Sequence, residues 1–315
     1  MEKQINFNFP DFVEGFLAYE LFFNLKRNYP FTLNPDTRIH SIYGTLTNSV
    51  WNGGSVYIGG YTYTHDYLKK KFDWYNDNGV AIRIIATNPL VQEHHLKDTY
   101  ANMIMQAADN GMNEVVVCSP LLEDYLRDKY PNFRYVKSII ASYEENKPVD
   151  LDDKYFLSCM MRAANNKWSY LDSIPMEKRD KVEFLCTDPC PDNCPRIKTH
   201  YHSMAESQIT LGKSTAKLNG CSMNQLRGAM LPKSTTRKNV DANIELDLIR
   251  SEYIPRNYSH FKISGRFNVG SIVTNIADYL IKPEFHKDWY GMVVQNLCNR
   301  GYSGWMRCTS ADNSN

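Results

Sequence analysis

Three cysteines lie at intervals of four residues in the stretch CTDPCPDNCP (186–195): Cys186, Cys190 and Cys194. Prolines interrupt the same stretch and prevent a helix, so the thiols are carried on a loop. A fourth thiol, Cys221, follows in LNGCSMNQ and could complete the set. Four thiolates bind either a [4Fe–4S] cluster or a structural zinc ion. The sequence therefore predicts a metal centre held by these four cysteines.

The spacing and setting of the cysteines bear on which metal is bound. Zinc loops usually separate paired cysteines by about two residues, whereas three residues separate each pair here. An iron–sulfur cluster is therefore favoured, with zinc as the alternative. A third alternative is that the thiols are unrelated core residues, since free cysteine is often buried, but a polar, proline-rich loop is not a core. Cys118 and Cys159 differ, because they lie in apolar runs and are expected in the core.

Composition narrows the class of protein. The chain has 315 residues, a net charge of +1 and 43% hydrophobic residues, as expected of a globular protein with a sizeable core. The near-neutral charge indicates no general attraction for DNA or for an anionic membrane. No apolar run reaches the roughly 18 residues of a membrane span, and the opening MEKQINFNFPDF is too polar for a signal peptide. We therefore expect a cytoplasmic protein, in which the cysteines stay reduced.

The elements that must position the cysteines follow a repeating pattern of a β-rich run and then an amphipathic helical run. Eight strands are predicted: RIHSIYG (38–44), SVYIGG (55–60), VAIRIIATNP (80–89), NEVVVCSP (113–120), FRYVKSIIAS (133–142), KYFLSCMM (154–161), KVEFLC (181–186) and HFKISGR (260–266). Parallel strands need helical crossovers, so the pattern favours a (β/α)8 TIM-like barrel, with an open doubly wound sheet as the alternative.

The predicted domain organisation is one barrel domain with an insertion. The domain covers residues 1–290, beginning with a helix in FVEGFLAYELFFNLKRNY (12–29), and residues 291–315 form a C-terminal tail. The long insertion follows strand seven, covers residues 187–257 and begins with the cysteine loop. Loops at the carboxyl ends of barrel strands build the active site in this architecture, so the predicted metal centre lies at the barrel mouth.

Other side chains near the ends of predicted strands would face the same mouth. They are Tyr43, Asn52, Asn88, Asn165 and Arg266. We predict that Asn88, Asn165 and Arg266 position a substrate. Asn88 could hydrogen-bond an amide or a base edge, or else cap the next helix; Arg266 could hold a carboxylate or phosphate, or else form a structural ion pair. His200 and His202 could supply a fourth metal ligand or a proton, or else lie solvated at a helix start.

Several of these segments resemble a known family. HFKISGR is similar to the FKIEGR-type motif of the peptidase U32, or collagenase-like, family, in which that motif closes a barrel. More closely, four segments resemble a bacterial and phage branch of the family over roughly residues 30–290: SIYG…VWNGG, ATNPLV…HLKDTYANMIM, GMNEVVVCSPLLEDYLRDKYPNF and DPCPDNCPRIKTHY. Two positions depart from the resemblance, because Cys186 stands where asparagine is expected and Ser264 replaces the motif's glutamate.

The resemblance implies a function and assigns ligands. Related branches are iron–sulfur proteins that hydroxylate RNA bases or a quinone precursor without oxygen, and Cys190, Cys194 and Cys221 match cysteines expected in the closer branch. The fourth ligand is then either Cys186 or absent, which would leave an open iron. The expected function is iron–sulfur-dependent hydroxylation of a nucleobase or similar ring substrate, with a small-molecule or RNA-base substrate and a possible protein partner.

Three other functions stay open at this stage. One is the hydrolysis of peptides that the family name suggests, although the sequence contains no HExxH or GxSxG motif and no convincing Cys/His pair. The second is a non-catalytic binding scaffold stabilised by zinc. The third is an RNA-binding accessory protein, which a basic, aromatic-lined cleft beside the cysteines would support.

Overall fold

Eight parallel strands close into a barrel in the computed structural model, which describes residues 3–187, 194–214, 243–264 and 269–300. Each strand pairs with the next along the chain, and the eighth pairs with the first. The strands are β1 (Ile5–Pro10), β2 (Thr37–Gly44), β3 (Ala81–Ala86), β4 (Glu114–Val117), β5 (Arg134–Lys137), β6 (Leu157–Cys159), β7 (Val182–Leu185) and β8 (His260–Lys262). The predicted (β/α)8 TIM-like barrel is confirmed.

Helices alternate with these strands and cover the outside of the barrel. In the described part of the chain they are α1 (Phe16–Asn28), α2 (His65–Asp77), α3 (Thr99–Ala108), α4 (Pro120–Lys129), α5 (Ile139–Glu145), α6 (Trp168–Ser173), α7 (Ile197–Ile209), α8 (Leu246–Leu248, continued by a π-helical turn, Ile249–Tyr253), α9 (Val269–Leu280) and α10 (His286–Asn299). No helix among them is long and apolar enough to cross a membrane.

Local sequence explains where several helices begin. The side chains of Thr64, Asp98, Ser119 and Ser138 each accept a hydrogen bond from a backbone N–H of the first turn that follows. These residue types are preferred caps because they satisfy N–H groups that have no partner inside the helix. Ser138 also ends β5, so the predicted strand 133–142 is wrong beyond Lys137 and its IIAS portion belongs to α5.

One predicted strand is not a strand in the structure, and one observed strand was not predicted. The segment 55–60 is a loop, whereas β1, which the sequence analysis missed, supplies the remaining strand. The predicted number of eight strands is therefore correct only because these two errors cancel. Phe7 and Phe9 of β1 are buried in the core between strands and helices, and Asn8 points into the barrel.

The predicted domain boundary at residue 290 falls inside α10. Trp289, Val293 and Leu297 of this helix are buried against the core, and the Trp289 indole N–H donates to the Val273 carbonyl oxygen at 2.9 Å. Residues up to 299 thus pack with the barrel, and residues 301–315 lie outside the described part of the chain.

The barrel interior contains a buried ion network in its amino-terminal half. Arg83 bridges two carboxylates: its Nε lies 2.6 Å from Glu114, and its Nη1 donates to Glu183. Asn8 donates to the same Glu183 oxygen at 2.6 Å, and the Cys159 thiol donates to the other at 2.9 Å. Arg83, Glu114 and Glu183 are almost wholly inaccessible to solvent. Such groups are tolerated only when they are paired and hydrogen-bonded, so the network ties β1, β3, β4, β6 and β7 together.

Replacing Arg83 should therefore destabilise the barrel strongly. In Arg83→Met, Glu114 and Glu183 lose their shared cation, and we expect the free energy of unfolding to fall by about 3–5 kcal/mol. Lys69→Met is the matched control because Lys69 pairs with Asp73 on the exposed face of α2; its loss should cost only about 0.3–0.5 kcal/mol. Urea unfolding monitored by circular dichroism measures both, and equal losses would contradict a structural role for the network.

His260 makes stability depend on pH. This side chain points into the barrel from β8, and burial, reinforced by the neighbouring His40 ring, lowers its pKa to about 3. Between that value and the ordinary pKa near 6.5, the unfolded chain binds a proton that the folded chain does not, so stability falls as the pH falls.

In the window from pH 6.5 to 5, we expect His260 to contribute a loss of stability approaching about 1.4 kcal/mol per pH unit. His260→Asn should remove that contribution, whereas replacement of the partly exposed His65, at the start of α2, by Asn should leave the wild-type slope unchanged. Chemical denaturation at several pH values in this window gives the slope. A His260→Asn slope equal to that of the wild type would contradict the assignment.

Candidate active site at the barrel mouth

The helix α7, which directly follows the cysteine loop, lies across part of the carboxyl-terminal face of the barrel. Tyr201 packs on Cys118, Ile140 and Ala141, at the ends of β4 and β5. His202 Nε2 lies 2.8 Å from Glu144 of α5. At the other end of the helix, the buried Gln208 amide exchanges hydrogen bonds with the loop after β2, as donor to the Ser49 and Tyr57 carbonyl oxygens and as acceptor from the Tyr57 N–H. The helix therefore roofs the side of the mouth formed by β2 to β5.

Asn88, one of the predicted substrate-positioning residues, holds this roof in place. Its side-chain N–H₂ lies within 3.0–3.2 Å of the carbonyl oxygens of Val50, Asn52 and Ala205, the last of these in α7. Its side-chain oxygen accepts from the Leu90 N–H at 2.9 Å. The amide thus joins the end of β3, the loop after β2 and α7.

Close packing of the loop against β3 explains the WNGG sequence. A Cβ atom at Gly53 would lie 2.3 Å from the Thr87 carbonyl oxygen, so only glycine allows this approach. The adjacent Asn52 is fully buried, and its side-chain N–H₂ donates to the Ser55 carbonyl oxygen at 2.5 Å. Gly53 thus lies directly against the backbone of Thr87 and Asn88, just after β3.

Asn165 occupies a comparable position after β6. It is almost fully buried, and its side-chain N–H₂ donates to the Leu185 carbonyl oxygen at the end of β7, at 3.0 Å. This contact fixes the turn after β6 against the strand that leads into the cysteine loop. Arg266, the third predicted positioning residue, lies outside the described residues.

The structure separates Cys186 from the mouth. Successive side chains of a strand alternate between its two faces. Glu183 points into the barrel, and the Cys186 N–H still donates to the Lys262 carbonyl oxygen at 2.8 Å, so the alternation extends to Cys186 and turns its side chain outward with Phe184. Cys186 is fully buried in the core cluster that also contains Tyr253.

The remaining cysteines fall into distinct settings. Cys194 is partly buried just before α7, and its carbonyl oxygen accepts from the Ile197 N–H at 3.1 Å. Cys190 and Cys221 lie outside the described residues. Within the described ranges, no three histidine, cysteine or acidic side chains form a group that could hold a metal ion. The predicted set of four ligands is thus described at two positions, Cys186 and Cys194.

The other two interior thiols stay protonated. Cys118 is buried beneath Tyr201, and burial together with the Glu144 carboxylate raises the pKa of its thiol to about 12. Burial and the hydrogen-bonded Glu183 carboxylate likewise raise the pKa of the Cys159 thiol well above its ordinary value. Neither is a thiolate at neutral pH, which agrees with their predicted place in the core.

The floor of the mouth is a ring of apolar side chains with one lysine beside it. The ring is one cluster of buried residues, separate from the outer core, and comprises Tyr43, Ile85, Val116, Val136, Leu157 and Cys159. The Lys262 ammonium lies 4.1 Å from the centre of the Tyr43 ring, and the Tyr43 hydroxyl donates to the Ile263 carbonyl oxygen at 2.7 Å.

Lys262 was missed in the sequence analysis. The available signal was the alternation in HFKIS, which places His260, Lys262 and Ser264 on one face of β8. Ser264 stands where the resemblance expects glutamate. Its hydroxyl lies 3.2 Å from the Thr187 hydroxyl, just after β7, so this position carries no negative charge.

Comparison with known proteins adds little beyond the fold. No protein-family model and no curated protein matches this sequence. Among solved structures, the chain is similar to one titled as the structure of the U32 peptidase Mk0906, with 12% sequence identity, a TM-score of 0.47, and coverage of 84% of this chain and 95% of that one. A likeness at this level says nothing about chemistry, so function has to be inferred from the residues of this chain.

Removing the Asn88 amide should loosen the roof of the mouth. Asn88→Ala leaves buried carbonyl groups and the Leu90 N–H without their partner, and we expect a loss of about 1–3 kcal/mol in unfolding free energy. Hydrogen exchange should also become faster in α7, because one of its anchors is gone. The control is Asn132→Ala, at an exposed residue, which should stay within about 0.5 kcal/mol of the wild type. Unchanged exchange in α7 would refute the anchoring role.

Proposed function

We propose that this protein is an iron–sulfur-dependent modifying enzyme of the U32 type, with its metal centre at the barrel mouth. The observation that carries the proposal is the position of Cys194, which joins the segment after β7 to the helix that roofs the mouth. Loops at this face build the active sites of (β/α)8 barrels. A thiolate centre at this position would lie above the buried apolar cluster that contains Tyr43.

The four predicted cysteine ligands are not equally well placed to bind such a centre. Cys186 does not fit, because its side chain is turned into the outer core with Phe184. Cys194 fits, since it is partly exposed and lies at the mouth. We infer that Cys190, Cys194 and Cys221 are the ligands, which would leave one position of a four-iron cluster open. When bound, such a cluster would supply electron transfer or activation of an oxygen donor at the open iron.

The described residues would shape the site around that centre. The helix α7 covers the side of the mouth formed by β2 to β5 and would limit the access of water from that side, which would strengthen electrostatic interactions inside. Asn88 and Asn165 act as positioning residues, because their amides hold the loops that wall the mouth. Arg266 stays a predicted substrate ligand. The proposed reaction is oxygen-independent hydroxylation of a nucleobase or a similar ring substrate, either free or in RNA.

Two of the described thiols, Cys118 and Cys159, are poor candidates for the nucleophile of a cysteine peptidase. Cys118 and Cys159 are buried and held as neutral thiols, whereas nucleophilic cysteines need a lowered pKa and access to solvent. A zinc-stabilised scaffold differs from the proposal in its metal, so metal analysis separates the two.

Metal content after anaerobic purification tests the proposal. We expect a brown protein with about four irons and matching sulfide per chain. Cys190→Ala, Cys194→Ala and Cys221→Ala should each lose most of the iron. Cys186→Ala should keep it, because Cys186 faces the core, and Cys298→Ala, at an exposed position of α10, is the matched control.

Two results would contradict the proposal. A colourless protein with about one zinc per chain would indicate the scaffold alternative. Loss of iron in Cys186→Ala to the same extent as in Cys194→Ala, with the fold intact by circular dichroism, would restore Cys186 as a ligand and end the open-iron assignment.

A further inference from the structure

Two threonine hydroxyls are buried without a partner at the mouth, where β2 and β3 end. Thr45 directly follows β2 and Thr87 directly follows β3, and neither residue is more than 7% exposed. Within the described part of the chain, neither hydroxyl oxygen has a hydrogen-bond partner. The same holds for the side-chain oxygen of Asn52, a fully buried residue of the loop after β2. These buried oxygens therefore gain no hydrogen bond from the described residues.

Alternation along the strands turns both threonine side chains toward the interior of the barrel. Tyr43 and Ile85, two positions earlier in each strand, belong to the inner apolar cluster. Successive side chains of an extended segment point to opposite faces, so Thr45 and Thr87 also face inward. Leu46, which follows Thr45, packs in the outer core, as this alternation requires. The two hydroxyls thus lie above the inner apolar cluster, on the side of the mouth formed by β2 and β3.

The inward positions next to Thr87 are polar and uncharged. The pairing of β3 with β4 and of β4 with β5 continues past the strand ends and places Thr87, Cys118 and Ser138 at one level. Cys118 is a neutral thiol, and the Ser138 hydroxyl caps α5. Gly53 lies against the backbone of Thr87, so the loop that carries Asn52 adjoins the same corner. Because none of these described residues carries a charge, the corner suits an uncharged polar ligand.

Fold stability does not explain the two hydroxyls. Burial of a hydroxyl removes its hydrogen bonds to water, and an unpartnered hydroxyl recovers none of them in the folded chain. Valine has nearly the same shape as threonine without the polar atom, so valine at position 45 or 87 would avoid this cost. A buried polar group that lowers stability in this way is expected where it serves a function.

We propose that Thr45 and Thr87 are substrate-binding residues that hydrogen-bond an uncharged amide edge, a C=O with an adjacent N–H, on the ligand of the mouth. A hydroxyl donates to a carbonyl oxygen and also accepts from an N–H, whereas the Asn52 oxygen accepts only. A ring amide, as on the edge of a pyrimidine base, presents both groups, and so does an open-chain amide. The inference rests on the proposed function in taking this ligand to be the substrate, and it adds the chemical group by which the substrate is held.

The cover over this corner sets how a ligand enters. Both hydroxyl oxygens are inaccessible to solvent. The loop after β2 and the second half of α7 lie beside them and are joined by the side-chain amides of Asn88 and Gln208. A ligand therefore reaches the hydroxyls when this cover moves, and association is expected to be slower than a diffusion-limited encounter.

Ligand binding by the full-length, anaerobically purified protein tests the proposal. Uridine is the probe for a ring amide and N-methylacetamide is the probe for an open-chain amide, and each is titrated by calorimetry. We expect saturable binding of at least one probe by the wild type. Binding should be weaker by at least about fivefold in Thr45→Val and in Thr87→Val, because each variant leaves a polar atom of the ligand unpaired. The probe that binds identifies the source of the amide edge.

Stability measurements separate a binding role from a structural one. Because the two hydroxyls are unpaired, Thr45→Val and Thr87→Val should keep or raise the midpoint of urea unfolding. Thr32→Val is the matched control, since Thr32 is also buried but its hydroxyl donates to the Tyr29 carbonyl oxygen at 2.8 Å, before β2. This control should lower the midpoint and bind the probe as the wild type does.

Three results would overturn the proposal: no saturable binding of either probe by the wild type, wild-type affinity in either threonine variant, or midpoints lowered as far as in Thr32→Val. The last result would mean that the hydroxyls are paired in the free protein. Iron content is measured on each preparation. Loss of probe binding with intact iron concerns the threonines alone, whereas absence of iron with intact probe binding defeats the proposed chemistry and leaves the amide site standing.

Discussion

Pairing of β1 with β8 closes the barrel, and the candidate site depends on that closure. A closed ring of parallel strands brings every strand's carboxyl end to one face. Because β7 and β8 are neighbours in the ring, the segment that leads into the cysteine loop and the strand that carries Lys262 reach the mouth side by side. The helix α7 then crosses toward the loops after β2 and β3, where Asn88 and Gln208 fasten it.

The two ends of the barrel interior differ in charge. The amino-terminal half is occupied by the network around Arg83, in which the buried ions pair with each other at the cost of their desolvation. Nearer the mouth, the inward-facing residues that the structure describes are mainly apolar, with Lys262 over the Tyr43 side chain. This division places a layer of paired ions beneath the apolar side chains that lie nearer the mouth.

The sequence was sufficient to predict the fold but not which side chains of the strands point into the barrel. Alternating β-rich and helical runs predicted the (β/α)8 barrel. The strand β1 was missed because its inward positions, Asn6 and Asn8, are polar and read as a solvent-exposed start. The segment 55–60 contains β-forming residues but pairs with no strand in the described part of the chain. Residue propensity alone does not determine strand pairing.

The residues of the candidate site could not be assigned to the inner or the outer face of their strands from the sequence. Glu183 and Lys262 are charged residues that point inward, against the usual rule that charges face water, so the inward and outward faces of β7 and β8 could not be assigned from composition. Because Glu183 points into the barrel, the Cys186 side chain must point outward. The regular spacing of Cys186, Cys190 and Cys194 therefore does not show that Cys186 faces the mouth. The roofing role of Asn88 depends on Ala205, a contact across more than a hundred residues that local patterns cannot contain.

The most direct measurement is anomalous diffraction at the iron absorption edge from crystals grown without oxygen. A metal centre at the mouth predicts an iron signal within bonding distance of the Cys194 sulfur, on the face roofed by α7, with the Cys186 sulfur in the outer core and not bonded to iron. An iron signal bonded to Cys186, or no transition-metal signal beside Cys194, would contradict it.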